Sequence, residues 1–141
     1  MKRVGLLAVV TALGMTTFAY AQPDDPISGT WNVVTKAKVS SCSGPMQGAV
    51  YQWLVSNADG KLSVQVLGET AIPKMEGSFD GKKFEIRGTE PDRRGSGLMT
   101  HGFFLKLSKP GRLEGERIAG TGAGDDKHAC GYVFSVVATK Q

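Results

Sequence analysis

The sequence predicts an all-β protein, an eight-stranded antiparallel up-and-down barrel, on three observations. Apolar and polar residues alternate with period two, Gly, Pro and Asp-Gly punctuate the alternation at short intervals, and no window of a dozen residues sustains helical spacing. Eight short strands joined by hairpins leave two sticky edges if the sheet stays open, and closing the sheet on itself removes both.

The start of the chain stands outside this pattern. Lys2 and Arg3 precede the uncharged run Val4 to Ala21, which ends in Ala19-Tyr20-Ala21 directly before Gln22-Pro23-Asp24-Asp25-Pro26. A cationic start, a short apolar stretch and a small-x-small end predict a secretory signal peptide, residues 1–21, cleaved after Ala21. Its strongest Leu/Val block, Val4 to Leu13, is short for a membrane span of about 20 residues. No Cys follows the cleavage site to carry a lipid. The expected product is periplasmic or secreted, with no membrane partner after cleavage. Residues 22–28 read as a flexible leader and 29–141 as one barrel domain.

The composition, 40% hydrophobic and 21% charged, is that of a folding chain. Its formal +4 comes from 17 Lys+Arg against 13 Asp+Glu, and cleavage removes two of those cations. The remainder is too small for an extended phosphate-binding surface, so no nucleic-acid partner is expected.

The first strand, Thr30 to Ser40, carries Trp31, Val33 and Val39 on one face; the second, Gly48 to Ser56, carries Tyr51, Trp53 and Val55. Asn57-Ala58-Asp59-Gly60 turns the chain into Lys61 to Glu69, with Leu62, Val64 and Val66 inward and Ser63 and Gln65 outward. A link containing Pro73 leads to a short strand ending at Phe79. Asp80-Gly81 then reads as a two-residue hairpin turn into Lys82 to Thr89, since Gly accepts the positive φ such turns require. Phe84 and Ile86 alternate there with Lys83, Glu85 and Arg87. Glu90 to Gly97 reads as a polar loop. The sixth strand, Leu98 to Ser108, places Met99, His101, Phe103, Leu105 and Leu107 on one face. Lys109-Pro110-Gly111 turns it into Arg112 to Gly122, and the last strand, Cys130 to Lys140, carries Tyr132, Phe134, Val136 and Ala138.

Three rival architectures fail on the residues. An outer-membrane barrel would turn Lys36, Lys38, Gln65, Lys83, Glu85 and Arg87 toward lipid. An immunoglobulin sandwich, suggested by Cys42, Trp53 and Cys130, needs two strands after its second cysteine where the chain has room for one. A five-stranded nucleic-acid-binding barrel has too few strands and wants basic and aromatic residues interleaved on one face.

The two cysteines of an exported chain are expected to pair. Cys42 follows the first strand and Cys130 begins the last, and these strands are neighbours if the barrel closes. Unbroken pairing of the two positions would put Asn32, Lys36 and Lys38 on the face of Tyr132, Phe134 and Val136. Either a bulge intervenes or Cys42 lies in the loop beyond the strand. The rival role, a catalytic or metal-binding thiol, suits a reducing compartment better.

Gly29-Thr30-Trp31, at the start of the first strand, resembles the Gly-x-Trp opening of the calycin-like families: lipocalins, avidins and the small periplasmic barrels that inhibit secreted metalloproteases. The resemblance implies a lipocalin-like barrel with Gly29 and Trp31 at one closed end and Lys140 as the basic side chain over Trp31. The motif is three residues long. The lipocalin Thr-Asp-x-x-Tyr-like segment is absent, with Ser108-Lys109-Pro110-Gly111 in that turn, and Asn32-Val33-Val34 lacks avidin's polar ligand series.

His101 falls on an apolar face between Met99 and Phe103, where an imidazole either meets a hydrogen-bonding neighbour or ligates a metal or haem iron. Gly120 to Gly124 lacks the Lys-Ser/Thr and helix of a phosphate-binding loop. Asp125, Asp126 and His128 match no calcium-loop spacing, and Gly95-Ser96-Gly97 lacks the strand-turn-helix setting of a nucleophile elbow. Glu85, Glu114 and Glu116 alternate outward, so no carboxylate pair suited to acid-base catalysis emerges.

The leading expectation is a secreted, non-enzymatic lipocalin-like barrel. It would bind a small, mostly apolar molecule against Tyr51, Trp53, His101, Phe103 and Tyr132, with no cofactor identified. A protein-binding module such as a periplasmic protease inhibitor, acting through Gln22 to Pro26 or the Glu90 to Gly97 loop, is the second. A haem-binding barrel using His101 is the third.

Overall fold

The structure, a computed structural model, describes residues 25–68, 74–91, 97–121 and 130–141. Eight strands follow one another: β1 (Gly29–Ser40), β2 (Val50–Ala58), β3 (Lys61–Leu67), β4 (Met75–Phe79), β5 (Lys83–Pro91), β6 (Leu98–Lys109), β7 (Arg112–Thr121) and β8 (Cys130–Lys140). Each pairs antiparallel with the next and β8 pairs with β1, so the sheet is a closed up-and-down barrel. The predicted signal peptide, residues 22–24, Pro73, Gly95-Ser96, Gly122 to Gly124, Asp125, Asp126 and His128 lie outside the described residues.

The ends of the barrel differ in how the chain turns. On one rim the connections are tight. Asp59 (φ 53°) and Gly60 (φ 86°) are the two left-handed residues of a type I′ hairpin. The turn at Asp80 is one residue longer than the sequence suggested: β5 starts at Lys83, because Asp80 Oδ1 accepts from the amides of Lys82 (2.9 Å) and Lys83 (2.7 Å). On the other rim the strands are joined through 41–49, 68–74, 92–97 and 122–129. We call this rim the mouth.

The tight rim is plugged. Ile27, Trp31, Leu62, Phe84, Leu105 and Leu113 are fully buried there. Trp31 Nε1 donates to the Ile27 carbonyl at 2.7 Å, and this pins the segment before β1 beneath the barrel. Asp25–Ser28 are thus held rather than loose. Asp25 Oδ1 accepts from the Ile27 amide (2.9 Å) and Asn57 Nδ2 (3.2 Å), Asp25 Oδ2 accepts from the Ser28 hydroxyl, and Ser28 Oγ accepts from the Asn57 amide at 3.0 Å. These bonds hold the Asp25 carboxyl below its ordinary range against the opposing effect of burial. Lys140 lies opposite Trp31 on the β1–β8 ladder, and its ammonium donates to the Asp25 carbonyl at 3.4 Å. The Gln141 amide donates to Thr30 O at 3.0 Å and its Nε2 to Asn32 Oδ1 at 2.8 Å, so the last residue returns to the first strand.

At the mouth Cys42 and Cys130 form a disulfide with Cα atoms 4.9 Å apart. Both devices foreseen for its registration are present. Trp31 to Ala37 pair with Lys140 to Phe134 in one register, a bulge at Lys38 shifts the ladder, and Cys42 lies beyond the end of β1. Trp31, Val33 and Thr35 therefore share the inner face with Phe134, Val136 and Ala138. The Ser41 amide donates to Gly131 O at 2.9 Å and the Gly131 amide to Ser41 Oγ at 2.8 Å, continuing the seam to the bond. Such a bond fits an oxidising, extracellular environment.

Two further strand boundaries differ from the sequence reading for local reasons. β2 starts at Val50 rather than Gly48, since Thr35 Oγ1 accepts from the Ala49 amide at 3.0 Å in place of a ladder bond. β5 continues through Glu90 and Pro91, the start of the expected polar loop, by pairing with Met99 and Leu98.

Candidate functional site

Toward the mouth the inward-facing side chains of the described residues leave a space between them. Tyr51, Trp53, Val66, Met75, His101, Phe103 and Arg117 line a cavity of about 40 Å³. Four of these residues, Tyr51, Trp53, His101 and Phe103, were expected at a ligand site from the sequence. The fifth, Tyr132, lies outside the lining, paired with Ala119 and with its ring 6.1 Å from Phe134. Met99, the other residue weighed beside His101, is not in the lining either.

The aromatic part is tightly built. Trp53 stacks on Phe84 at 6.0 Å and meets Phe103 edge-on at 4.8 Å, so its indole is held on two sides. Tyr51 follows two residues before Trp53 on the same face, its ring 6.1 Å from the indole. The His101 ring fits here because its partner on β5 is a glycine. A Cβ on Gly88 would lie 3.0 Å from His101 Nε2 and 2.8 Å from Met75 Cγ.

Arg117 is the residue that the sequence reading missed. β7 presents Leu113, Gly115, Arg117, Ala119 and Thr121 inward, a face in which glycine and alanine leave little apolar signal. The outward alternation of Glu114 and Glu116 was the available clue, because it turns Arg117 toward the interior. The guanidinium carbon lies 5.6 Å from the Phe103 ring and 5.2 Å from the Phe134 ring. Its Nη2 stands 3.2 Å from His101 Nδ1. Arginine can only donate, so Nδ1 accepts, which assigns the ring proton to Nε2.

His101 is buried, at 2% exposure. Burial first, and the charge of Arg117 second, lower its pKa to about 4, so the imidazole is neutral near pH 7. Burial pushes the Tyr51 hydroxyl up to about 12, with Arg117 opposing, and keeps it protonated. Four polar atoms of the lining residues are buried without a hydrogen-bond partner: Tyr51 Oη, Trp53 Nε1, His101 Nε2 and Arg117 Nε. Every one carries a proton to donate. The ion pairs among the described residues, Lys38 with Glu116 and Arg112 with Glu114, leave Arg117 out. Among the described residues no cluster of three or more His, Cys, Asp or Glu side chains is placed to hold a metal.

The shifted histidine has a consequence for stability. The unfolded chain takes up the proton near 6.5 and the folded one near 4, so the unfolded state binds more protons between these values. Stability is full above pH 6.5 and is lost as the pH falls toward 4, by roughly 2 to 3 kcal/mol. Urea unfolding at pH 7 and pH 4.5 should show this loss in the native sequence and a smaller one in His101→Gln. Equal losses in the two proteins would remove His101 as the cause.

The chain matches no protein-family model and no curated protein, so the closed eight-stranded barrel, compatible with a calycin-like fold, rests on the structure alone.

Proposed function

We propose that the chain is an exported, non-enzymatic binding barrel that takes a small ligand at its mouth, against Tyr51, Trp53, His101 and Phe103. One observation carries the reading: the interior is packed at the plugged rim, whereas near the mouth it holds a cavity, and four polar atoms of the residues around it are buried with no partner. Each such atom costs roughly 1 to 3 kcal/mol when left unsatisfied. Aromatic walls with a few polar groups around one space fit a small-molecule site. The ligand is more compact than the mostly apolar molecule expected from sequence, because about 40 Å³ admits only a few atoms inside the barrel. A porphyrin is far larger than that space, which counts against the haem reading. The inhibitor reading gains no support from Asp25 and Pro26, since Asp25 is tied to Ile27, Ser28 and Asn57.

Native mass spectrometry of the protein purified from a host that exports it, before and after denaturation, tests the reading together with Trp53 fluorescence titrations of small solutes. A releasable mass or a saturable fluorescence change lost in Trp53→Phe is expected. A bare mass together with no saturable response to any solute overturns the proposal.

A further inference from the structure

The outer wall of the barrel has two unlike halves. On β4 to β7 the outward positions carry charges, among them Glu76, Glu85, Arg87, Lys106, Glu114 and Glu116. On β8, β1, β2 and β3 the outward positions within residues 137–139, 30–34, 50–56 and 63–67 carry none. Four of the large apolar side chains that the described residues expose stand together on this second half: Val50 (77% exposed), Leu54 (43%), Val34 (38%) and Leu67 (36%). The ladder makes them neighbours. Val34 pairs with Val50, Leu67 pairs with Gln52, and Val50 and Leu54 flank Gln52 along its own strand. Single exposed apolar residues are ordinary on a folded protein, whereas a cluster of them with charge kept out has the composition of an interface centre.

The polar groups inside the cluster narrow the choice of occupant. Gln52 Nε2 donates to Asn32 Oδ1 at 3.0 Å, and Gln141 Nε2 donates to the same oxygen at 2.8 Å. Gln52 Oε1 and Asn32 Nδ2, an acceptor and a donor side by side, have no partner among the described residues. A lipid surface would bury these amides with nothing to bond them. A strongly charged partner would bury its charges against a face that offers none in return. A second copy presents the same face, and a two-fold axis brings the donor of each amide pair to the acceptor of the other. Charge lies at the border: Lys36 toward the mouth, the ion pair of Arg112 and Glu114 beyond β8, and Glu76 beyond β3. This is the polar rim of such a contact.

Size limits its strength. Four strands about 4.8 Å apart and about 20 Å of strand give a face of roughly 400 Å² in plan, about half of what each partner contributes to a standard interface. The wall is also convex, which shortens the contact further. We propose that the uncharged face of β8, β1, β2 and β3 is a self-association surface, on which two copies pack wall to wall as a weak, reversible dimer. The face lies on the outer wall, so this inference stands apart from what the cavity binds.

Sedimentation equilibrium of the protein purified from a host that exports it tests the proposal. Between about 10 μM and about 1 mM the mass is expected to rise toward twice that of the monomer, with Kd on the order of 10⁻⁴ M. Gln52→Glu, an exposed change at the centre of the face, sets like charges across the axis and is expected to weaken association about tenfold or more. Gln52→Lys alone is expected to do the same. An equimolar mixture of the two variants recovers association, which a folding defect in either would not do. Glu85→Lys, on the charged half and folded by circular dichroism, leaves association unchanged. A native protein that stays monomeric at about 1 mM overturns the proposal, whether or not it binds phosphatidylcholine vesicles or a different protein through this face. So does native affinity in either Gln52 variant alone, a mixture that remains monomeric, or a loss of association in folded Glu85→Lys.

Discussion

Replacing Cys42 and Cys130 together by serine is expected to destabilise the barrel by up to about 4 to 5 kcal/mol, the chain-entropy value for a loop of this size, given a sequence separation of 88. In a domain of this length that is a fall of roughly 10 to 20 °C in melting temperature. The effect is large because the bond ties the end of the first strand to the start of the last, so nearly the whole ring lies inside the closed loop. The β1–β8 ladder remains, with the reciprocal bonds of Ser41 and Gly131 at its edge, so the double variant should still fold as a barrel. Thermal unfolding of the oxidised native protein and the double variant, followed by circular dichroism, measures the difference. A change below about 1 kcal/mol would mean the unfolded chain keeps the two strands together without the bond.

Trp31→Ala is the second large effect. The indole is fully buried at the plugged rim, and removing such a side chain costs about 3 to 5 kcal/mol in lost contacts and cavity. Its Nε1 also satisfies the Ile27 carbonyl, and that acceptor would lose its donor. Ile27, itself fully buried, is held at the plug by this bond and by the Asp25 network, so the segment before β1 is expected to loosen with it. Trp31→Phe, which keeps most of the apolar volume and loses only the donor, should cost about 1 to 2 kcal/mol. Denaturant unfolding of both variants separates the two contributions. Equal losses in Trp31→Ala and Trp31→Phe would assign the effect to the hydrogen bond rather than to the packing.

The alternation of Phe84, Ile86, Leu62, Val64 and Val66 was enough to read strands and their inner faces, because period two is imposed by the pleat itself. Closure followed from the positions of Cys42 and Cys130, and the structure has both the bulge and the post-strand cysteine that their registration demanded. What the sequence concealed was decided by side chains reaching into the backbone. Thr35 delays β2 by taking the Ala49 amide, and Asp80 lengthens its turn by taking two amides. In the site, the aromatics were legible because large apolar residues at inward positions need no partner to be recognised. Arg117 was not, since a lone cation on a strand reads as solvent-facing until its neighbours' orientation is followed around the ladder. The role of His101 likewise depends on which atom faces Nδ1, and that partner is sixteen residues away in the chain.

The return of Gln141 to Thr30 and Asn32 places the last residue beside the first strand, on the plugged rim. Strand eight hands on to strand one as every other strand does to its successor, so the ring is defined by cyclic order and has no privileged beginning. Anything fused to the chain through Gln141 departs on the side opposite the mouth. A surface or a carrier attached there would lie on the plugged side of the barrel, as a stem lies under a cup, away from the cavity.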